Sequence, residues 1–188
     1  MHVAPLDAAH LESWGELFTA SGSACFCRYW HFVGTKNDWL ARCAFTPEKN
    51  FEEHAAVVSE ISGRGLVAID NERVLGWMKL APRLTLPKLR ALPVYRSLEL
   101  GGDEGVYSIG CILVHPEHRH EGIARALVTA AAIHVRAWGG TAIEAYPRRA
   151  REPLHDEEAW MGPENVFVDC GFDAVAGEAP YPVYRLVL

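Results

Sequence analysis

The sequence lacks an excess of positive charge and any long apolar run. Its 188 residues include 18 lysines and arginines against 24 aspartates and glutamates, which gives a formal net charge of −6 at pH 7. A mildly acidic surface attracts neither polyanions nor anionic membranes, so we expect no nucleic-acid and no membrane partner. No stretch reaches the roughly 18 apolar residues of a membrane-spanning helix, and residues 1–7 lack the basic start of a secretory signal. The expected location is therefore the cytoplasm.

The cysteines lack the paired spacing of a disulfide framework or a zinc site. They are odd in number, without a Cys-x-x-Cys pair, and a chain of this length can be stable without cross-links. We therefore expect reduced thiols and no metal. The five residues are Cys25, Cys27, Cys43, Cys111 and Cys170. Zinc binding or redox chemistry at the first three stays an alternative to free thiols that line an aromatic pocket.

The composition is that of a folded globular protein without repeats or low-complexity segments. Hydrophobic residues make up 49% of the chain and charged residues 22%, which is enough apolar material to bury a core. The length suits one sizeable domain, and no shift in composition marks a boundary. We therefore expect a single domain over residues 1–188.

The predicted elements are seven strands and four helices. Predicted strands cover residues 2–5, 66–69, 74–80, 106–114, 141–146, 172–176 and 182–188. Two predicted helices follow Asp7 and Thr46 as capping residues, and two more cover residues 122–138 and 163–170. In the helix after Thr46, the spacing of Phe51, Ala55 and Val58 predicts the buried side. Residues 21–39 and 83–105 have no assignment.

The sharpest local pattern is the turn Arg119-His120-Glu121-Gly122-Ile123-Ala124, between a predicted strand and a predicted helix. A helix N-terminus offers unpaired N–H groups and the positive end of the helix dipole, so it binds phosphate. Small residues at positions 122 and 124 let a pyrophosphate approach the backbone, and Arg119 adds a charged contact. The alternative is a tight turn with no ligand. The irregular spacing of the neighbouring histidines disfavours a metal site here.

Residues 112–127, Ile-Leu-Val-His-Pro-Glu-His-Arg-His-Glu-Gly-Ile-Ala-Arg-Ala-Leu, resemble the strand, phosphate loop and helix of the GNAT N-acetyltransferases. The order of elements is similar to that family over nearly the whole chain. The resemblance implies an α/β (α+β) fold with a mixed, mostly antiparallel sheet of about six to seven strands and about four helices. It also implies acetyl-CoA as the acyl donor. The residues implied to bind it are Ile112, Leu113, Val114, Arg119, His120, Glu121, Gly122, Ile123 and Ala124.

The resemblance also implies catalytic positions, and this sequence departs from two of them. The usual base of the family, a glutamate, is replaced by Ser108, and its usual acid, a tyrosine, is replaced by Phe167. Glu144 and Glu104 are the remaining candidate bases, against the alternative of solvated or salt-bridged carboxylates. The candidate proton donors to the CoA thiolate are Tyr146 and Cys170.

The function that the resemblance implies is transfer of an acetyl group to a primary amine of a small molecule or protein, directly within a ternary complex. An N–H group of the strand that bears Ile112 would stabilise the tetrahedral intermediate. The alternative is an acyl-CoA-binding sensor or regulatory module with little activity, motivated by Ser108 and Phe167. An aromatic cluster is either core or a wall of the acceptor pocket, and a homodimer stays open. Its members are Phe26, Tyr29, Trp30, Phe32 and Trp39.

Overall fold

A computed structural model describes residues 1–152 and 154–188, with the backbone alone for Glu157. In these residues seven strands form one sheet in the order β1-β2-β3-β4-β5-β7-β6. The strands are β1 His2–Pro5, β2 Gly65–Asp70, β3 Arg73–Pro82, β4 Val106–Val114, β5 Ala142–Ala145, β6 Asp173–Ala176 and β7 Val183–Val187. All neighbours are antiparallel except β4 and β5, which are parallel. The predicted mixed, mostly antiparallel sheet is confirmed.

The helices outnumber the prediction. The described residues form seven α-helices rather than about four. They are α1 Leu11–Ala20, α2 Lys36–Phe45, α3 Glu48–Ala56, α4 Pro87–Ala91, α5 Pro93–Arg96, α6 Ile123–Ala137 and α7 Glu164–Asp169. The additional helices are α2, α4 and α5, and all three lie in the segments that had no assignment or at their edges.

Two hydrophobic layers cover the two faces of the sheet. On one face α6 buries Leu127, Ala131 and Val135, which recur at helical spacing, against β3 and β4. On the other face α1 buries Trp14 and Leu17 against β2 and β3. Burial of each large side chain contributes about 1.5–3 kcal/mol, so these layers hold β4 in place from both sides.

The helix after Thr46 differs from its prediction. It begins at Glu48 and buries Asn50 and His54, whereas Phe51, Ala55 and Val58 are only half-buried. The reason is tertiary, because the Asn50 amide donates to the carbonyl oxygen of Ala24 at 2.9 Å and the His54 ring stacks on Trp14. A polar pair therefore faces the core where the apolar residues were expected.

Candidate active site

The sheet opens between β4 and β5. These strands pair in parallel only from Val106, opposite Ala142, to Ser108, opposite Glu144. Further along β4, residues 109–114 have ladder partners on β3 alone. The backbone N–H of Ile112 donates to the carbonyl oxygen of Trp160 at 2.8 Å. The opening therefore has a backbone hydrogen-bond donor of β4 on its edge.

The turn after β4 begins α6 in a conformation that favours glycine. Gly122 has φ +85° and precedes the first helical residue, and His120 has φ +63°. A Cβ at position 122 would meet nothing within 4 Å in the described residues, so the backbone angle and not space explains the glycine. The same part of the structure shows no side-chain cap on α6. The N–H groups of its first turn are therefore available to an anion.

An acidic segment lies against this turn. Asp156 accepts a hydrogen bond from Arg119 at 3.1 Å, and one of its oxygens lies 3.9 Å from His120 Nε2. Glu121 pairs instead with His118 at 3.1 Å. Asp156 and Trp160 both belong to residues 154–162, so one segment contacts the turn and the Ile112 N–H. A carboxylate beside arginine is the kind of partner that a phosphate can replace.

The other predicted cofactor-binding residues are held by the core. Ile112 and Ile123 are buried in the layer under α6, and Val114 and Ala124 pack against it. Leu113 points to the other face, where it packs in the layer under α1. Their side chains are committed to packing, so the backbone of these residues is what a ligand in the opening can reach.

Glu144 is buried in a network of donors. Arg83 Nη1 donates to its two oxygens at 2.9 and 3.0 Å, Arg185 Nε donates at 3.1 Å, and the Tyr146 hydroxyl donates at 2.6 Å. Ser108 Oγ lies 2.8 Å from the Tyr146 hydroxyl, to which it therefore donates. Burial and the charge of Glu144 raise the pKa of Tyr146 well above its ordinary value. Ser108, Tyr146 and Glu144 thus form one hydrogen-bonded chain.

The remaining predicted residues lie apart from the opening. Glu104 is exposed before β4 begins, and the strand from Val106 to Ile112 spans roughly 20 Å at about 3.3 Å per residue. The structure therefore does not bring Glu104 to the Ile112 N–H. Cys170 Sγ lies 3.7 Å from Thr129 Oγ1 of α6. Phe167 is a core residue that packs on Phe172.

A cavity of about 230 Å³ adjoins the opening on the face covered by α1. Its walls include Cys25, Cys27, Tyr29, Trp30, Trp160 and residues 111–113 of β4. Trp30 and Trp160 lie with ring centroids 5.7 Å apart. Tyr29 and Trp30 of the aromatic cluster are thus cavity walls, whereas Phe26 packs in the core under α1.

Gly110 fixes the position of Trp30 in this wall. The Trp30 indole N–H donates to the Gly110 carbonyl at 2.9 Å, and a Cβ at position 110 would lie 2.9 Å from the same nitrogen. Only glycine lets the indole approach β4 this closely. A glycine inside a strand of large side chains is the sequence signal that could have identified the contact.

The sequence pattern did not identify Lys79, a buried cation beside this cavity. Lys79 of β3 lies opposite Cys111 of β4, is fully buried, and donates to the carbonyl oxygen of Ser62. Burial lowers the pKa of Lys79 to about 8. The available signal was a single lysine in the otherwise apolar run of residues 74–80.

A mixed sheet that opens between two parallel strands, beside a helix N-terminus suited to phosphate, defines an acyltransferase architecture. The family model described as acetyltransferase (GNAT) family matches residues 22–157, and the chain belongs to this family. The protein is therefore an acetyltransferase by class, as the resemblance implied. No curated protein sequence matches the chain.

Solved structures share the fold at low sequence identity. The GNAT domain of S. lividans PAT is 16% identical with a TM-score of 0.59, over 99% of this chain and 89% of that one. PaiA N-acetyltransferase from Thermoplasma acidophilum, solved with coenzyme A, is 10% identical with a TM-score of 0.56, over 100% of both chains. YncA from Salmonella typhimurium, solved with its cofactor acetyl-CoA, is 15% identical with a TM-score of 0.55, over 100% of this chain and 95% of that one.

The described residues show neither a metal-binding cluster nor a membrane-spanning helix. In residues 1–152 and 154–188, no group of three or more histidines, cysteines, aspartates or glutamates is arranged to hold a metal ion. Within the same part of the chain, none of the helices combines the length and apolar character needed to cross a membrane.

Proposed function

We propose that the protein transfers an acetyl group from acetyl-CoA to a primary amine, directly within a ternary complex. The observation that carries this proposal is the opening between β4 and β5, with the Ile112 N–H on its edge and the α6 turn beside it. Family membership and the solved relatives that hold acetyl-CoA or coenzyme A support the donor. The five free thiols suit the cytoplasm as the location.

The residues of β4 and the turn have separate proposed roles. The Ile112 N–H stabilises the oxygen of the thioester as negative charge develops on it, in place of its present bond to Trp160. The backbone of Leu113 and Val114 guides the pantetheine arm. Arg119 and His120 contact the diphosphate through their side chains. Glu121, Gly122, Ile123 and Ala124 contribute backbone at the start of α6.

The hydrogen-bonded chain of Ser108, Tyr146 and Glu144 is the proposed source of the proton for the departing CoA thiolate. Tyr146 stays protonated because its pKa is raised, and Ser108 and Glu144 hold its hydroxyl in place. Glu144 as the direct base stays a prediction, and its three donors leave it little capacity to take a substrate proton. We assign it a positioning role in this proposal. We assign no catalytic role to Glu104, because β4 places it far from the opening between β4 and β5.

The proposed acceptor site is the 230 Å³ cavity between Trp30, Trp160 and β4. Aromatic walls and a small volume suit the amine of a compact small molecule with an apolar body. Among the described wall residues there is no carboxylate to bind a second ammonium group. A protein amine stays the broader alternative.

The alternative function is an acyl-CoA-binding module with little catalytic activity. Ser108 and Phe167 in place of the usual base and acid of the family favour it. Calorimetry with acetyl-CoA and a CoA-thiol release assay across a broad panel of amines separate the two functions. Tight binding without turnover would favour the binding module.

The first experiment is acetyl-CoA calorimetry on the wild-type protein and on Arg119→Ala. We expect binding by the wild type, weakened about 10- to 100-fold by the substitution, because a hydrogen bond to a charged group contributes about 1.5–3 kcal/mol. Absence of binding by the wild type would contradict the proposed donor. Equal affinity of the two proteins would remove Arg119 from the diphosphate site.

A further inference from the structure

Cys27 is held in the wall of the acceptor cavity by an unusual backbone. Phe26 and Cys27 have φ angles of +40° and +52°, in the left-handed region that non-glycine residues rarely adopt. The surrounding core imposes it, since Phe26 stacks on Phe18 with ring centroids 5.0 Å apart. Cys27 contacts the Trp77 indole of β3 through its sulfur and also lines the cavity.

The Cys27 sulfur accepts a hydrogen bond from a buried indole. The Trp77 indole N–H of β3 donates to Cys27 Sγ at 3.0 Å. An N–H donor on a sulfur favours the thiolate over the thiol, because the charged sulfur is the stronger acceptor. Cys27 and Cys111 both line the cavity with Ile112, whose N–H is the proposed site of the thioester oxygen.

The charged groups around Cys27 also favour ionisation of its thiol. Burial opposes its ionisation, but the neighbouring Cys111 thiol, the Trp77 indole and the positive charges of Lys79 and Arg28 outweigh it and lower the pKa of Cys27. Burial and the neighbouring Cys27 raise the pKa of Cys25 to about 12. His54 from α3 and His31 stay neutral at pH 7, because burial chiefly lowers their pKa values to about 2 and 3. Cys27 is therefore the thiol of this cavity that ionises first.

The candidate carboxylates Glu144 and Glu104 do not supply a base in the acceptor cavity. Position 108 is a serine, Glu144 is enclosed by Arg83, Arg185 and Tyr146, and Glu104 lies far along β4. The cavity wall in the described residues contains cysteines, aromatic and aliphatic side chains and one serine. An ammonium acceptor that enters it meets one group able to take its proton.

We propose that Cys27 is the catalytic base that deprotonates the acceptor amine, an inference that rests on the proposed function. The Cys27 thiolate takes one proton from the ammonium group, and the freed lone pair forms the C–N bond to the acetyl carbon. The C–S bond breaks with its electron pair on the CoA sulfur, which receives a proton from the Tyr146 hydroxyl, and the second nitrogen proton passes to Tyr146. Cys27 then gives its proton to solvent. An ammonium ion and a thioester thus yield an amide, a thiol and one released proton.

The kinetic test compares Cys27→Ser with wild type, and Cys170→Ser is the matched control outside the site. A serine hydroxyl can accept the indole hydrogen bond but does not ionise, so the fold is kept. We expect kcat/KM to fall by about 100-fold or more through kcat, with acetyl-CoA affinity in calorimetry unchanged. The acidic limb of the wild-type pH profile should be absent in Cys27→Ser and retained in Cys170→Ser.

A second readout needs no acceptor and no turnover. Iodoacetamide labelling of the wild-type protein across pH, with mass-spectrometric fragmentation that separates Cys25 from Cys27, reports each thiolate. Cys25 is partly exposed and Cys27 is buried, so access alone would favour labelling of Cys25. We expect Cys27 to be labelled at a pH where Cys25 is not, and Cys111→Ala to shift Cys27 labelling to higher pH.

Three results would overturn the inference. They are a Cys27→Ser enzyme with wild-type turnover, Cys27 labelling at the same or higher pH than Cys25, and an acetyl group trapped on Cys27 without acceptor, which would make it a nucleophile. Failure of the proposed function is a different result, namely loss of acetyl-CoA binding in the wild type. The labelling result still shows in that case whether Cys27 ionises at lower pH than Cys25.

Discussion

Gly122 shows how one residue connects backbone geometry to ligand binding. Its φ of +85° is the left-handed conformation, which costs a residue with a Cβ about 1–2 kcal/mol. We expect Gly122→Val to lower the free energy of unfolding by about that amount and to weaken acetyl-CoA binding, because the first turn of α6 shifts. Urea denaturation and calorimetry measure the two effects.

Gly122→Asn is the matched control, since asparagine tolerates the left-handed conformation. Nothing described lies within 4 Å of the added Cβ, so the asparagine should fold with near-wild-type stability. Unchanged acetyl-CoA affinity in Gly122→Val would remove the turn from the proposed diphosphate site.

The individual residues also show what the sequence could and could not predict. Gly122 was predictable because its pattern is local, a strand followed by a glycine and a helix. The partners of Glu144 were not, because Arg83 and Arg185 lie 61 and 41 positions away in the chain. The same applies to Cys27, whose indole donor is 50 positions away. Contacts of this kind depend on which strands become neighbours.

The segment of residues 154–162 contacts both ends of the proposed acetyl-CoA site. Asp156 contacts Arg119 and His120, and the Trp160 carbonyl accepts from Ile112. We expect Asp156→Asn to raise acetyl-CoA affinity about two- to fivefold, because an exposed ion pair of about 0.2–1 kcal/mol no longer competes with the diphosphate. Calorimetry at low and high salt measures this gain, which should shrink as salt screens the pair.

Glu158→Gln is the control within the same segment. Glu158 pairs with Arg148 at 2.8 Å rather than with the turn, so its removal should leave the affinity unchanged. An equal or lower affinity in Asp156→Asn would show that Asp156 does not compete with the ligand.

The helices show why some elements could be predicted from the sequence and others could not. α6 has apolar residues at regular spacing and was predicted within a residue or two of its bounds. α2 buries Trp39 alone, and its other large apolar residues, Leu40 and Phe45, are exposed, so it has no periodic buried face to recognise. Its local signal was the capping box, in which Thr35 and Asp38 exchange hydrogen bonds.

Lys79 makes the stability of the whole molecule depend on pH. Burial lowers its pKa to about 8 in the folded state, against an ordinary value of 10.5 for the unfolded chain. Between these values the unfolded state binds more protons, so stability rises with pH. Relative to Lys79→Met, we expect the wild-type free energy of unfolding to rise by roughly 3 kcal/mol from pH 7 to pH 10.5.

Urea denaturation of wild type and Lys79→Met from pH 7 to pH 10.5 gives the slope of the free energy of unfolding against pH. The slope is the test, because the loss of the bond to Ser62 changes the offset at every pH alike. Lys49→Met is the control, since Lys49 is exposed and solvated in both states. A constant difference between wild type and Lys79→Met would contradict the low pKa of Lys79.

The sequence by itself determined the succession of strands along the chain, the helix α6 and the turn that begins it. These features depend on periodicity, on glycine and on helix ends, which act over a few residues. Only the tertiary structure decided that the sheet opens after Ser108, that Glu144 is enclosed by two arginines, and that Cys27, Trp77 and Lys79 meet beside a cavity. Those outcomes come from strand pairing and burial between distant segments, which fix the dielectric surroundings and the hydrogen-bond partners of each ionisable group.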